Sequence, residues 1–326
     1  MSTWKTMITI TRLGVCGALT FAALTGCDAP SFVEDDVRLR PDPPPWLLNT
    51  SKVLQSEVPG IDPGAKYFMH AHLGVDIFVN QQAVALDAMW VEDGELRGVL
   101  GGDEYGGDDF DGARIHMADQ SDPNAGAVLY DIVVEHELDE HNAPIYLLKY
   151  GAPDAAPAEL HFLCAVDTSF HPVTGTSDPL RMAYLIDSVR YVGDDFEDDP
   201  FTMLFGCVSS ASGKARHWGY DPDGVVKLNA FRAAVWAITA SYCPESGPST
   251  KPGTKFRILD SLGVNASQDL IPPWMVEAKW DEHGATCINP DHRADYVPSS
   301  KIYEACVAQL PPCTASSPGV ITTMLH

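Results

Sequence analysis

Six of the eight cysteines stand far downstream of an apolar N-terminal run, and these two features together decide how the rest of the chain can be held. Lys5 and Arg12 lie in a polar start. Leu13 to Leu24 (LGVCGALTFAAL) then forms an apolar run of about a dozen residues, the length of a signal-peptide core and too short to span a bilayer as a stable helix. Residues 1–26 therefore read as an export signal, which places the remainder in an oxidising compartment. Of the cysteines, Cys16 lies inside that signal and Cys27 directly follows it, leaving Cys164, Cys207, Cys243, Cys287, Cys306 and Cys313. An even number in such a compartment reads as up to three disulfides, and spacing alone leaves the pairing open. A nucleophilic Cys243 would need a base and would leave an odd thiol among the other five. Zinc is disfavoured because no pair shows the gap of about two to four residues found in a metal knuckle.

Leu24-Thr25-Gly26-Cys27 resembles the lipobox of bacterial lipoproteins, in which small residues admit the peptidase and the cysteine thiol takes a diacylglycerol. Cys27 is thus the expected lipidation site and the first residue after cleavage. Acyl chains contribute about 0.8 kcal/mol per buried CH₂, enough together to hold a folded body at a membrane, and no other segment is apolar for long enough to span. The expected location is the bacterial cell envelope, lipid-anchored and facing the periplasm or the exterior. Residues 27–66, with Glu34-Asp35-Asp36 and Pro41-Asp42-Pro43-Pro44-Pro45, read as an acidic, proline-rich tether. The whole chain carries a formal charge of −24, and losing residues 1–26 removes two basic side chains and no acid. Nucleic acid is excluded as a partner, because phosphate repulsion would oppose every encounter. The expected partners are the membrane, through the anchor, and an envelope ligand or protein.

Short β-branched and aromatic runs fill the following region: Val75 to Val79, Ala88 to Val91, Leu129 to Val134 and Ile145 to Leu148. They imply an N-terminal β unit over 67–155, with Gly101 to Gly112 as a flexible acidic hairpin. Further strands are expected at Leu160 to Leu163, Met182 to Ile186, Phe256 to Leu259 and Trp274 to Ala278. In Val225 to Thr239, large apolar side chains at Leu228, Phe231, Val235 and Ile238 recur at helical spacing, with alanines on the flank. Ser300 to Leu310, after Pro298, is a shorter helix candidate. The expected fold is mostly β (α+β): antiparallel sheets, one main helix, a short C-terminal helix, and disulfide cross-links. Its second domain would span 156–313, leaving 314–326 as a flexible tail.

One stretch carries a family resemblance. Ala240-Ser241-Tyr242-Cys243, then Gly247, Thr250, Pro252-Gly253-Thr254, Asp260 and Leu262-Gly263-Val264, resembles the signature of ADYC-domain proteins, a family of exported proteins and lipoproteins abundant in myxobacteria. Leu163-Cys164, Phe201-Thr202 to Gly206-Cys207, Lys214 through Gly219-Tyr220-Asp221-Pro222, and Trp274 to Cys287 resemble its other elements, in the family's order. The similarity runs from Leu163 to about His292. It implies export and cross-linking, and it brings no activity. Ser241 stands where the signature has aspartate, so no catalytic role for that carboxylate carries over. Ala215 and Ala234 stand where relatives have cysteines, and their joint loss implies that those two pair with each other. The four retained positions, Cys164, Cys207, Cys243 and Cys287, would then supply two bridges and the neighbouring Cys306 and Cys313 a third; the expected pairs are Cys243–Cys287, Cys164–Cys207 and Cys306–Cys313.

Other constellations are weaker. His70 and His72, with Glu135, His136, Glu137 and His141, have the look of metal donors, but histidines between strands are the better reading. His136-Glu137 lacks the second histidine of a zinc-protease helix, since Glu140 occupies that place. Asp108, Asp109, Asp111 and Gly112 lack the ligand spacing of a calcium loop. Trp218 and Tyr220 read as core aromatics. No catalytic residue, metal site or cofactor is assigned. The expected function is a lipid-anchored envelope module for binding or structure. The alternative is a hydrolase of envelope polymers using carboxylates among Asp194, Asp195, Glu197, Asp198 and Asp199, a run that otherwise reads as a solvated loop.

Overall fold

Alternation of apolar and polar residues along the strand runs produces two antiparallel sheets that enclose the main helix. The computed structural model describes residues 47–325 except 49, 51, 55, 57, 59, 62–69, 121–125, 140–141, 166–180, 223–224, 252, 266–272 and 295–300. Lys5, Arg12, the Leu13 to Leu24 run and Cys27 lie outside the described residues. In chain order the strands are β1 (Leu47–Leu48), β2 (Gly60–Ile61), β3 (His70–Val79), β4 (Gln82–Ala85), β5 (Ala88–Glu92), β6 (Glu95–Leu100) and β7 (Asp103–Gly106). There follow β8 (Arg114–Asp119), β9 (Val128–Leu138), β10 (Pro144–Gly151), β11 (His161–Phe162), β12 (Met182–Val192) and β13 (Asp195–Cys207). Helices α1 (Ala211–His217) and α2 (Val225–Thr239) precede β14 (Lys255–Asp260), β15 (Val276–Asp281), β16 (Gly284–Ile288), α3 (Lys301–Val307) and β17 (Ile321–Leu325).

The larger sheet runs β2-β13-β12-β10-β9-β8-β3-β4, with β11 paired to β10. Along β8, Ile115 and Met117 are buried while Arg114 and His116 point to the other face, as a period of two requires. A three-stranded sheet, β5-β6-β7, contributes Val91 and Leu96 to the same core, together with Phe110. The smaller main sheet runs β1-β14-β17-β15-β16. Helix α2 contacts strands of both main sheets, so Phe231, Val235 and Ile238 are buried, and so are Ala230, Ala233, Ala234 and Ala237. Small alanines let strand surfaces approach the helix closely on its second side. Ala215 and Ala234 are both fully buried on helices that pack together.

Several expectations are corrected here. The boundary at 155/156 cuts through the larger sheet, because β12 pairs with β10 and β13 extends it, and residues 40–326 form one compact unit. The tether ends earlier than residue 66. Thr50 and Val58 are buried, β1 pairs with β14, β2 pairs with β13, and the carbonyls of Lys52 and Val53 accept from Ala211 N (2.8 Å) and Ser212 N (3.2 Å). Those carbonyls satisfy the first free donors of α1, a helix with no apolar periodicity of its own. The tail is no tail: β17 lies between β14 and β15, with Ile321, Thr323 and Met324 buried. The acidic run from Asp195 onward is strand, not loop, forming a hairpin with β12 through Gly193 and Asp194. The Gly101 to Gly112 segment is ordered by β7 and a 3₁₀ turn at Gly107–Phe110, with Phe110 fully buried beneath it. Trp274 falls in a 3₁₀ turn and is exposed, so the strand starts at Val276.

Candidate functional site

The signature stretch begins where α2 must stop. Ala240 takes a left-handed conformation (φ 50°), and the amide of Ser241 donates to Trp236 O (2.9 Å) while that of Ala240 donates to Ala237 O (3.4 Å). This is the double-bonded end usually served by glycine. A non-glycine residue there costs about 1 to 2 kcal/mol. The site is wholly buried, so the alanine methyl fills space that glycine would leave empty. The Thr239 hydroxyl turns back to Val235 O (2.9 Å), and its oxygen lies 2.8 Å from Ser241 Oγ.

From this end, Tyr242 enters the core. Its ring stacks on Trp280 (centroids 5.1 Å apart, planes 23° apart), and its hydroxyl donates to Glu277 Oε1 (2.6 Å). Glu277 Oε1 also accepts from Arg293 Nε (2.8 Å) and Arg293 N (3.0 Å). The guanidinium lies over the Phe256 ring at 4.2 Å and donates to the carbonyls of Ala237 and Ile238, placing a cation at the negative end of α2. Burial alone would raise the Glu277 pKa, but the charge and hydrogen bonds of Arg293, with the Tyr242 hydroxyl, hold it below the usual carboxylate range. Burial, then the Glu277 charge, pushes the Tyr242 phenol well above its ordinary value. The cluster is a closed ion pair in which the phenol stays protonated and donates to an ionised carboxylate. With Tyr242 and Cys243 each 1% exposed, its chemistry is directed inward, at holding α2, β15 and the Arg293 segment together.

All six expected cysteines are cross-linked, but two of the three bridges differ from the expected pairs. Cys164–Cys207 is as expected, with Cα atoms 5.6 Å apart. Cys243 pairs with Cys306 (Cα–Cα 6.4 Å) rather than Cys287, and Cys287 pairs with Cys313 (4.9 Å) rather than leaving Cys313 to Cys306. The reason lies in the register of β16. Ala285 N donates to Tyr242 O (3.0 Å), so it is Ala285 that sits beside the signature; Cys287 is two residues further on, about 7 Å along a strand. There Ile288 N meets Pro311 O (3.0 Å) and Cys313 N meets Asn289 Oδ1 (2.9 Å), which brings Cys313 to it. Helix α3 instead contacts the 3₁₀ turn Pro244–Ser246, which delivers Cys306 to Cys243.

The suspected metal donors are dispersed. The side chain of His70, and His141 altogether, lie outside the described residues. His72 pairs across β8 with Met117, which pairs in turn with Tyr130 on β9, and His136 is six residues further along that strand, about 20 Å away. His136 Nδ1 meets Asp108 Oδ1 (2.8 Å), and Glu135 pairs with Lys149. Among the described residues no three His, Cys, Asp or Glu side chains are placed to hold a metal ion. Tyr220 is buried and Trp218 partly buried against the core, with its ring near Phe256.

Of the acidic run, Glu197 and Asp199 both accept from Arg190 (2.9 and 3.0 Å), and Asp195 faces Arg232 (3.3 Å). Asp194 and Asp195 also line an open cleft of about 360 Å³ with Glu245, Glu282, His283 and Trp236. The cleft forms where the β12–β13 turn, the Pro244–Ser246 turn and the β15–β16 turn meet, and its walls suit a cationic group.

Sequence reasoning passed over a second polar cluster. His116 on β8 lies between two carboxylates, with Nδ1 2.8 Å from Asp131 Oδ1 and Nε2 3.2 Å from Asp76 Oδ2, while Arg114 reaches Asp131 Oδ2 at 3.2 Å. Burial alone would lower the His116 pKa, but Asp131 and Asp76 outweigh it and raise it. Nearby His72 is lowered, chiefly by burial. A raised imidazole stabilises the fold fully below its unfolded value of about 6.5, and that contribution is lost as pH rises through the folded value. His116→Asn should therefore lower the urea midpoint more at pH 5.5 than at pH 8.5. Equal losses at both pH values would remove the charged contact from this account.

The family comparison agrees with the signature and widens it. A family model described as the ADYC domain matches residues 107–294, more than half of the chain. It starts well upstream of Leu163, within the region expected to be a separate β unit, as the continuity of the larger sheet requires. No curated protein and no solved structure matches the chain. A match of that extent, over the signature whose turn and buried cluster are described above, shows that the chain belongs to the ADYC-domain family.

Proposed function

We propose that this chain is a lipid-anchored protein of the bacterial cell envelope, in which the ADYC domain is a binding or structural module rather than a catalyst. The observation that carries this reading is the burial of the signature: Tyr242 and Cys243 serve the interior, so the segment most typical of the family builds a scaffold. Three disulfides support an oxidising compartment, in line with the apolar run and Leu24-Thr25-Gly26-Cys27 at the start of the chain. We assign membrane attachment to acylation of Cys27; no helix among the described residues is long and apolar enough to cross a membrane. The acidic cleft is the surface we assign to an envelope ligand or protein bearing a positive group. A hydrolase drawing on this cleft would find Asp195 already engaged by Arg232.

Cys27→Ser tests the anchor. The variant should lose metabolic labelling by palmitate and move from the membrane to the soluble fraction, whereas equal membrane retention with no acyl mass on the parent protein would refute it.

A further inference from the structure

We propose that the Cys243–Cys306 disulfide is a redox-sensitive staple whose reduction by a dithiol frees α3 and uncovers the Tyr242–Glu277–Arg293 cluster, while the other two bridges and both main sheets stay in place. Access separates the three bridges. Cys164, Cys207 and Cys287 are fully buried, and Cys243 and Cys313 nearly so; Cys306 alone is partly exposed. Thiol–disulfide exchange begins with a thiolate reaching one sulfur, and Cys306, the most exposed of the six residues, is the point of entry we assign, ahead of Cys313 at 8% exposure. The attacking thiolate bonds to Cys306 Sγ, the bond to Cys243 breaks, and Cys243 leaves as a thiolate that takes up a proton. The second thiol of the reductant then displaces Cys306 and closes the reductant into its own disulfide. Two electrons pass from the dithiol to the protein, which ends with two thiols.

What is released is a marginal element. Helix α3 has seven residues, far fewer than an isolated helix needs to persist in water. Ile302, Glu304 and Ala305 are exposed, while Tyr303 enters the core and Cys306 and Val307 pack against it. Its C-terminal side stays tied by Cys287–Cys313 and by Ile288 N to Pro311 O (3.0 Å), so the freed helix is a flap on a hinge. Tyr303 of α3 lies near enough to Tyr242 to act on its phenol, and Tyr242 donates to a carboxylate that is not fully served: among the described residues Glu277 Oε2 is buried without a hydrogen-bond partner, although Oε1 accepts three bonds. Opening the flap gives that oxygen water, which favours the open form once the covalent tie is cut.

The test uses native protein treated with dithiothreitol without denaturant, with thiols trapped by iodoacetamide and amide exchange followed by mass spectrometry. Cys243 and Cys306 should be alkylated first, and exchange over Tyr303–Val307 should quicken by at least about tenfold while β12 and β13 are unchanged. Alkylation of Cys164, Cys207, Cys287 or Cys313 at the same rate would overturn the proposal. So would unchanged exchange in α3 after Cys306 is alkylated, or loss of protection throughout. The Cys243→Ser, Cys306→Ser double variant should reproduce the α3 exchange pattern without reductant; its failure to fold would equally count against a separable flap.

Discussion

Arg293→Met should destabilise the fold by about 3 to 5 kcal/mol in urea unfolding, because it leaves Glu277 charged and without its cation in the interior. Arg293 and Glu277 side chains are 1% and 0% exposed, so solvent cannot step in. The same substitution removes the donors that meet the Ala237 and Ile238 carbonyls at the end of α2, and the cation over Phe256. Adding Glu277→Gln should recover a substantial part of the loss. The amide keeps an acceptor for Tyr242 and for the Arg293 backbone while removing the stranded charge. In the parent protein, Glu277 has a depressed pKa, so its contribution is present above the unfolded carboxylate value of about 4.3 and is lost as pH falls through the lower folded value. The deficit of Arg293→Met should therefore shrink in acid. A deficit under about 1 kcal/mol at neutral pH, or one unchanged by Glu277→Gln, would show that the ion pair does not hold this end of the helix.

Replacing both Cys164 and Cys207 by alanine should cost about 4 kcal/mol. The bridge closes a separation of 43 residues, and restricting the unfolded chain over that length accounts for most of the effect. It joins the segment after β11 to the end of β13, where α1 begins, and both sulfurs are fully buried. Against a typical net stability of about 5 to 15 kcal/mol, such a loss should bring the thermal midpoint down by many degrees. A shift of a degree or two in calorimetry would mean that packing, not the cross-link, carries this junction.

The features legible in the sequence were those set by local periodicity. Leu228, Phe231, Val235 and Ile238 defined α2, whose structural bounds are Val225–Thr239, and β-branched runs located β3, β9, β10 and β12. What escaped depends on contacts remote in the chain. Helix α1 contains Gly213 and no apolar stripe; it forms because Ser210 Oγ accepts from Gly213 N (3.2 Å) and because Lys52 and Val53 supply acceptors from far upstream. The acidic run after Gly193 reads as solvent loop, yet Arg190 on the facing strand neutralises Glu197 and Asp199. β17 is a five-residue strand at the end of the chain, and only its two neighbours explain it.

At the signature, cysteine count and compartment gave the chemistry of Cys243 but not its partner. Pairing depends on the β16 register and on the return of α3, and neither is written in spacing. Glu277 left a faint trace, a charged residue between Val276 and Ala278 in an apolar run, but its cation lies sixteen residues later beyond a turn. The His116 cluster required knowing that β3, β8 and β9 are neighbours in that order.

The central claim is that the signature cysteine is structural and that three defined bridges close the domain. Peptide mapping of the folded protein under non-reducing conditions tests it most directly. The account requires cross-linked peptide pairs Cys164–Cys207, Cys243–Cys306 and Cys287–Cys313, with no free thiol among the six. A Cys243 that alkylates freely in the native protein, or a Cys243–Cys287 peptide in place of Cys243–Cys306, would contradict it.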